Sequence, residues 1–537
     1  MAKPFKNLPL KIFKALSKRE RIILYGALAI FLVSGVTYSA LIYKTATYVV
    51  PTEGGAYREG VVGQPSFINP LIPITETDRV MSRLIFASLE DMSDIIKRSD
   101  DGMTWNVRIK DNIFWHDGRE VTADDIVFSV DVIRNPDSRS PLRGSFEGVE
   151  VARVSELEMA FTLQSPYAFF QEDHLRSLRP IPKHIFEDLP VSNYQLTPYG
   201  LSPVGSGPFV VQSHNKDARG FITEFNLKAN DAYFTRRPYI SDFSFKFFRK
   251  DSELISSYNL GQIDGFGLST AEPLAERPII IRHQAHYLSS SRYYAIFINQ
   301  SVADATLSEL GVRRTLAGAV NRNDIIEKVF AGHATPFFGP TALTTNPTTS
   351  FDSETIKELE FDLVVPDEPF LVKTAEEIKV DWEILGAKVN LTVRSLRDIR
   401  EDILRNTSYD MILFGNIVKE GNDLFSFWHS SKRFFPDQNL ALYQDTETDA
   451  LLEQYRRTFD GGARLSLLER ISNRIAGNVP AVFLYSPDYI YISAPSLGGI
   501  NDARTINTSD DRFANITDWF VKSRRTLTPP TKVQGGE

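Results

Sequence analysis

The side chains that could perform chemistry in this 537-residue sequence are few and lie far apart. His283 and His286 have the spacing of two metal ligands, but no acidic residue stands nearby to complete a set of three or four. We interpret both histidines as surface or structural residues. Cysteine is absent, which excludes thiolate nucleophiles, disulfide bonds and cysteine-based metal sites. The sequence therefore predicts no metal site and no cofactor.

Three further motifs resemble catalytic ones without their full pattern. Residues 205–208 (GSGP) are rich in glycine like a phosphate loop, but the proline would interrupt the helix that such a loop needs, and G-x-S-x-G is not present. We predict a tight turn there. Asp124 and Asp125 are explained by the capped start of a helix, and His116 stands in a hairpin turn. No nucleophile, base and orienting residue come together, so the sequence favours a binding protein over an enzyme.

The N-terminal region predicts a membrane-spanning helix over residues 22–43. These 22 residues carry no charge, and at ~1.5 Å per residue they are long enough for a hydrocarbon core of about 30 Å. Residues 1–21 hold seven basic residues and one acidic residue, so the positive-inside rule places them in the cytoplasm and the rest of the chain outside. A cleaved signal peptide is the alternative, with Ser39-Ala40 as its cleavage site.

The charge of the chain is divided between its two parts. The net charge is −8, and residues 1–44 hold eight basic residues and one acidic residue, which leaves −15 for the remainder. So acidic a domain is a poor partner for nucleic acid. Residues 44–60 contain a proline and two adjacent glycines and predict a stalk, and residues 522–537 predict a disordered tail.

Alternating and helical patterns predict the elements that would position a binding site. Residues 105–110 alternate apolar and polar residues like a half-buried strand, and Thr122 caps the helix that follows. Residues 312–330 predict two short helices, the second starting at Asn323. Residues 361–414 predict a βαβ unit and a further helix and strand, with Thr374 at the start of the first helix. Such alternation favours a mostly parallel sheet, which places residues 415–425 at a ligand crevice.

Several of these segments, in order, resemble the substrate-binding proteins of oligopeptide, dipeptide and nickel ABC transporters. The most specific match is WNVRIKDNIFWHDGREVTADDIVFSV at 105–130. Supporting matches are VGSGPFVV (204–211), NDAYFTRRPYISDFSF (230–245), LGQIDGF (260–266), GVRRTLAGAVNRNDIIEKVFAGHATP (311–336) and PAVFLYSPDYIY (480–491). The resemblance covers about residues 60–520.

The resemblance implies a bilobed α/β receptor with a hinge and one extra domain, preceded here by the transmembrane helix. Lobe I would combine residues 61–85, 205–298 and 480–521. The extra domain would span 86–204 and lobe II 299–479. Closure of the two lobes on a ligand would create the surface that a permease recognises.

The resemblance also implies where a ligand would bind. In peptide-binding relatives an acidic residue after the strand that matches residues 409–414 pairs with the ligand's α-amino group. This loop departs from the family pattern, because an asparagine replaces the usual aromatic residue and its acidic residues are shifted in register. The ligand-binding residues that the resemblance implies are Asn416, Glu420, Asn422 and Asp423 in this loop, and Ser66, Phe67, Asn69, Ser206 and Gly207 in lobe I.

The function predicted from these features is that of a membrane-anchored, monomeric receptor of an ABC importer. Its partners would be a peptide or similar small polar solute, a permease and an ATPase. Two alternatives remain open: a cell-surface ligand sensor or scaffold, for which about 21 cytoplasmic residues leave little room for an output domain, and an anchored hydrolase, for which no catalytic set was found. The absence of an outer membrane, or of a route for lipid attachment, would explain a peptide anchor in place of a lipidated cysteine.

Overall fold

A computed structural model describes residues 16–301, 305–345, 353–418 and 423–527. The chain begins with the helix Lys18–Ala46, which is longer at both ends than the predicted span and has no buried residue. Ser17 and Glu20 form a capping box at its first turn. Its length and apolar composition are sufficient to cross a membrane.

In the described part of the chain, the body of the protein contains three sheets, of which the first has seven strands and mixed direction. Asp242–Phe248 and Gly265–Leu268 run parallel to Ala56–Val62 and flank it in the centre, and the other pairings are antiparallel. The strands, in spatial order, are Gln284–Leu288, Tyr489–Ser493, Gly265–Leu268, Ala56–Val62, Asp242–Phe248, Ile222–Ala229 and Phe209–Lys216.

The second sheet has six strands and contains the predicted βαβ unit. Its strand Glu360–Pro366 is parallel to both neighbours, whereas the remaining pairs are antiparallel, so the prediction of a mostly parallel sheet is wrong. The antiparallel strands come from distant parts of the chain, which local alternation cannot reveal. In spatial order the strands are Ala334–Pro336, Ala481–Pro487, Arg292–Ile298, Met411–Ile417, Glu360–Pro366 and Lys388–Arg394.

The third sheet is an antiparallel sheet of four strands, formed within the extra-domain segment 86–204. Its order is Ser93–Arg98, Thr104–Ile109, Glu158–Leu163 and Val149–Arg153. The side chains that alternate inward from Thr104–Ile109 are buried, as the pattern of this strand predicts.

Helices cover the sheets and make most of the remaining core contacts. The longer ones are Glu76–Ile85, Ala123–Arg134, Asp251–Asn259, Leu310–Ala319, Arg322–Phe330, Pro369–Ile384, Thr446–Arg457 and Gly461–Asn478. The shorter ones are Leu89–Met92, Lys183–Phe186, Glu272–Glu276, Ala305–Ser308, Leu396–Asp398, Leu404–Asn406 and Phe425–Trp428. Gln171–Leu175 and Ile399–Ile403 are π-helical turns.

The predicted helix starts are correct in one case and shifted in two. Thr122 forms the expected capping box with Asp125. The second of the paired helices is capped by Asn321 rather than Asn323. Thr374 lies inside the helix Pro369–Ile384, where its hydroxyl bonds to a backbone carbonyl one turn earlier, so its polar side chain does not mark a helix start.

Two short chain crossings join the seven-stranded and six-stranded sheets. Residues 289–291 and residue 488 each connect a strand of one sheet directly to a strand of the other. Arg292–Ile298 and Ala481–Pro487 were predicted in lobe I but belong to the six-stranded sheet, so the lobe boundaries move to these crossings. The crossings touch each other, because the Ser486 hydroxyl donates to the Ser290 carbonyl at 2.7 Å.

The predicted stalk and the start of the predicted tail pair with each other in a two-stranded ribbon. Tyr48–Thr52 in the predicted stalk is antiparallel to Lys522–Thr526, so the prediction of disorder from residue 522 is wrong for residues 522–526. Residues 56–60 also form part of a strand of the seven-stranded sheet. Pro51 is tolerated because a two-stranded ribbon has only edges. Arg525 donates to the carbonyls of Lys44 and Thr47 at the end of the first helix.

The core of the seven-stranded sheet contains a buried ion pair. Arg512 donates to the Glu59 carboxylate at 2.9 and 3.2 Å, and the Tyr491 hydroxyl donates to it at 2.7 Å. Glu59 is fully buried and Arg512 is 6% exposed. Burial raises the pKa of Glu59 above its ordinary value, since charge is disfavoured away from water.

Candidate functional site

A cavity of about 880 Å³ lies where the two lobes and the extra domain meet. This volume is in the range that bound small molecules occupy in proteins. All three units contribute charged residues to its walls, together with an apolar lining from the extra domain and lobe II. A crevice between hinged units, with converging polar groups, is the arrangement expected of a ligand-binding site.

The wall from lobe I is the helix Glu76–Ile85 together with residues 507–511. Asp78 fixes the start of this helix, and its carboxylate also accepts hydrogen bonds from the backbone nitrogens of Ser66 and Phe67 at 2.8 and 3.0 Å. One turn later, Arg83 is 3.4 Å from Asp511. Both residues of this ion pair line the cavity, and it joins the helix to the C-terminal segment.

The wall from the extra domain contains the π-helical turn Gln171–Leu175 and the arginines that follow it. Turns of this type occur often at functional sites, because the extra residue changes the direction of the side chains. Arg176 pairs with Glu90 at 2.6 Å. Arg179 donates to the Phe86 carbonyl at 2.6 Å, and burial lowers the pKa of Arg179 to about 10.

The wall from lobe II contains the second π-helical turn, Ile399–Ile403, and the end of the strand Met411–Ile417. Arg400 lies on this turn, is exposed and lines the cavity. Asn416 lines the cavity from the strand and is 5% exposed. Its amide donates to the Tyr293 hydroxyl at 3.3 Å, so the side chain is held against the sheet.

Asp423 lies behind the cavity in a network that links lobe II to the extra domain. One of its oxygens accepts from Arg456 and contacts the Tyr167 hydroxyl, each at 3.0 Å. Its side chain is 12% exposed, and it does not line the cavity. Tyr167 also donates to Asp173, which does line it. Burial raises the pKa of Tyr167, so the phenol stays protonated.

The other sequence-predicted residues have different surroundings. Ser66 is exposed, Phe67 is buried, and the Asn69 side chain accepts from the backbone of Leu71 at 2.9 Å. These three residues support the wall of the cavity but do not line it. Glu420 and Asn422 lie outside the described residues.

Ser206 and Gly207 are buried between lobe I and the extra domain, away from the cavity. The Ser206 hydroxyl accepts from the backbone of Ala87 at 3.3 Å, and the Gly207 nitrogen donates to the Ile85 carbonyl at 2.7 Å. A Cβ atom built on Gly205 would lie 2.0 Å from the same carbonyl oxygen. The glycines of the GSGP motif therefore allow the backbone at 205–207 to approach the backbone at Ile85 closely. Ile85 is the last residue of the helix Glu76–Ile85, which forms part of the cavity wall.

His116 fastens the hairpin of the extra domain to this motif. Its Nδ1 accepts from the Gly205 backbone at 3.3 Å, and its Nε2 donates to the Gly207 carbonyl at 3.1 Å. Both nitrogens are satisfied in the neutral ring, whereas a proton on Nδ1 would remove the first bond. Burial lowers the pKa of His116 to about 4.

We expect this depressed pKa to make folding stability depend on pH. The unfolded imidazole binds a proton near its ordinary pKa of about 6.5 and the folded one near 4, so stability falls as the pH drops between these values. The expected loss from pH 7 to pH 5 is about 2 kcal/mol from this residue. Denaturant unfolding at both pH values would measure it.

The matched variants for this test are His116→Gln and His214→Gln. The first should remove about 2 kcal/mol of the difference in unfolding free energy between pH 7 and pH 5. The second alters an imidazole on the strand Phe209–Lys216 and should leave the His116 contribution in place. An unchanged pH dependence in His116→Gln would contradict the assignment.

Sequence reasoning missed most of the cavity's charged residues. The sequence pattern QEDHLRSLR at 171–179 carries four charged residues and a histidine, but periodicity alone does not show which of them face a second domain. Among the described residues, no group of three or more histidine, aspartate or glutamate side chains is arranged to hold a metal ion.

Comparison with known proteins agrees with this architecture. Residues 92–434 match the family model described as "Bacterial extracellular solute-binding proteins, family 5 Middle". The chain is 23% identical to the oligopeptide-binding protein AppA of Bacillus subtilis over 487 residues, which cover 82% of this chain and 87% of that protein. It is 26% identical to the dipeptide-binding protein of Escherichia coli over 440 residues, which cover 72% and 78%.

The fold is also similar to solved structures. The structure of AppA from Bacillus subtilis in complex with a nonapeptide superposes with a TM-score of 0.68 at 21% identity, covering 88% of this chain and 99% of that one. This similarity confirms the predicted bilobed binding-protein fold. Since the family model spans well over half of the sequence, the chain belongs to the bacterial extracellular solute-binding proteins of family 5.

Proposed function

We propose that this protein is the membrane-anchored receptor of an ABC importer and captures peptides or similar small polar solutes. The observation that carries the proposal is the charged cavity at the meeting point of two hinged lobes and the extra domain. The names of the relatives support a peptide ligand, since AppA and the E. coli relative are oligopeptide- and dipeptide-binding proteins. The protein performs no catalysis; it binds its ligand and delivers it to a permease.

Binding would proceed by closure about the two chain crossings. Residues 289–291 and residue 488 are short, so the lobes can rotate while each sheet stays intact. Closure would bring Arg79 and Arg83 of lobe I towards Arg400 and Asn416 of lobe II. Main-chain hydrogen bonds and water-filled side-chain pockets would then hold ligands of varied sequence.

The apolar helix Lys18–Ala46 supports the anchored form of this proposal. All of its described side chains are exposed or half-buried, so it packs against no core in the protein. The basic residues before it favour a cytoplasmic N-terminus. An uncleaved helix would hold the receptor near its permease without a lipid.

We expect peptide ligands to stabilise the full-length protein, purified from membranes in detergent. A mixture of peptides of two to nine residues at a hundred times the dissociation constant should add about 2.7 kcal/mol to the unfolding free energy, seen as a rise in melting temperature. Gln438→Trp, which fills the cavity wall, should abolish the rise. Gln212→Trp, on the strand Phe209–Lys216, should keep it.

Two results would contradict the proposal. If no peptide length raised the melting temperature of the wild-type protein, the peptide ligand would be wrong. If Gln438→Trp responded as strongly as the wild type, the ligand would bind outside this cavity.

A further inference from the structure

Asp173 is a buried carboxylate at the cavity wall, and it has no cationic partner among the described residues. It is 9% exposed and lines the cavity from the π-helical turn Gln171–Leu175. Its side chain accepts a hydrogen bond from the Tyr167 hydroxyl. Within the part of the chain that the structure describes, no lysine, arginine or histidine nitrogen lies within 4.0 Å of its carboxylate.

The Tyr167 hydroxyl links Asp173 to Asp423. Tyr167 stands between two carboxylates but has a single proton to donate, and the shorter of its two contacts is with Asp173. Asp423 has a cation of its own, because Arg456 donates to it at 3.0 Å. Among the residues that the structure describes, Asp423 therefore has an ion-pair partner and Asp173 has none.

We propose that Asp173 binds the protonated amino group of the ligand, an inference that rests on the proposed function. A buried carboxylate without a counter-charge is costly, and a ligand ammonium group in the cavity would offset that cost. Glu172 also lines the cavity but is only half-buried, so water already screens it. Arg79 and Arg400 are exposed at the cavity and, within the described ranges, have no ion-pair partner. Their guanidinium groups would pair with the carboxylate of a zwitterionic ligand.

This assignment gives Asp423 a positioning role instead of a ligand contact. The ion pair with Arg456 holds the Asp423 carboxylate in place. Asp423 contacts the Tyr167 hydroxyl, and this hydroxyl donates to Asp173, so the position of Asp423 restricts that of Asp173. The guanidinium of Arg456 also lies 4.9 Å from the centre of the Tyr167 ring. Amino-group recognition then comes from the extra domain, across the junction from the loop where the family resemblance implies it.

The test compares two peptide mixtures on the full-length protein in detergent. One mixture has free amino termini and the other is the same mixture after N-acetylation, and native mass spectrometry reports the fraction bound. The wild type should bind the free mixture at least about tenfold more tightly than the acetylated one. Asp173→Asn should lose this preference, and Tyr167→Phe should reduce it.

The matched control is Glu150→Gln, an exposed carboxylate on the strand Val149–Arg153 of the same domain. It should bind both mixtures like the wild type. Melting temperatures without peptide would show whether each variant is folded. If Asp173→Asn were unfolded, the comparison of free and acetylated peptides on the wild type and on the Tyr167→Phe variant would still test the inference.

Each contrary result has a distinct meaning. Equal binding of both mixtures by the wild type would overturn the inference and leave the proposed function standing. A full preference in Asp173→Asn, together with its loss in Asp423→Asn, would assign the amino group to Asp423 instead. If neither mixture bound, the proposed function and the inference would both fail.

Discussion

Replacing Arg512 with methionine is expected to destabilise the protein by about 3–5 kcal/mol, because it leaves the fully buried Glu59 without its counter-charge. Methionine keeps much of the side-chain volume, so the effect reports the lost charge more than a cavity. Unfolding in guanidinium chloride at pH 7 would measure it. Glu59 already has a raised pKa in the folded protein, and the variant should raise it further.

The pH dependence of this variant separates charge from packing. A raised folded-state pKa means that the penalty is absent where both states are protonated, grows as the pH rises from the unfolded pKa to the folded pKa, and is constant above the folded pKa. The deficit of Arg512→Met should therefore shrink as the pH is lowered. The double variant Arg512→Met with Glu59→Gln should recover part of the loss at pH 7. A deficit that was equal at all pH values, and that the double variant did not reduce, would show that packing is the cause.

Replacing Gly205 with alanine is expected to cost about 3 kcal/mol and to weaken ligand binding as well. The new Cβ would lie 2.0 Å from the Ile85 carbonyl oxygen, and this atom is backbone and cannot rotate away. Ile85 ends the helix that presents Arg79 and Arg83 to the cavity. Displacement of that helix would alter one wall of the site. Chemical unfolding and the peptide-induced rise in melting temperature would measure the two effects.

Gly144→Ala is the matched control for this substitution. A Cβ atom at Gly144 meets no other atom within 4 Å, so the expected change is below about 0.5 kcal/mol. If Gly205→Ala were equally mild, the contact between the GSGP motif and the helix Glu76–Ile85 would be looser than the geometry indicates.

Much of the fold could be predicted from sequence because its elements follow local rules. The capping box of Thr122 and the alternation in residues 104–109 depend only on neighbouring residues, and both are present. The ordered family motifs extended these local elements to the bilobed fold, which the matched family model and solved structures support. The sheet partners of residues 292–298 and 481–487 were not accessible in this way, because strands far apart in sequence pair there.

The site was less predictable than the fold because charge partners are set in three dimensions. The sequence could nominate Asp423 as an acidic residue after a strand, but only the structure shows its ion pair with Arg456. Asp173 lies in a charged segment whose sequence is typical of a solvated face, but in the structure it is 9% exposed. Asn416 was nominated from its loop position and does line the cavity.

The ribbon of Tyr48–Thr52 and Lys522–Thr526 has a mechanical consequence for the proposed membrane-anchored form. One residue separates the first helix from the ribbon, and two strands rather than one continue towards the seven-stranded sheet. Residues 53–55, which join the ribbon to this sheet, are held in place as well, because the Gly54 nitrogen donates to the Tyr239 carbonyl at 2.7 Å. A connection made of two paired strands resists twisting, so rotation of the protein about its membrane helix would be restricted. In the proposed membrane-anchored form, the search for a permease would take place in two dimensions at a nearly fixed height, with a high effective concentration and a restricted range of orientations.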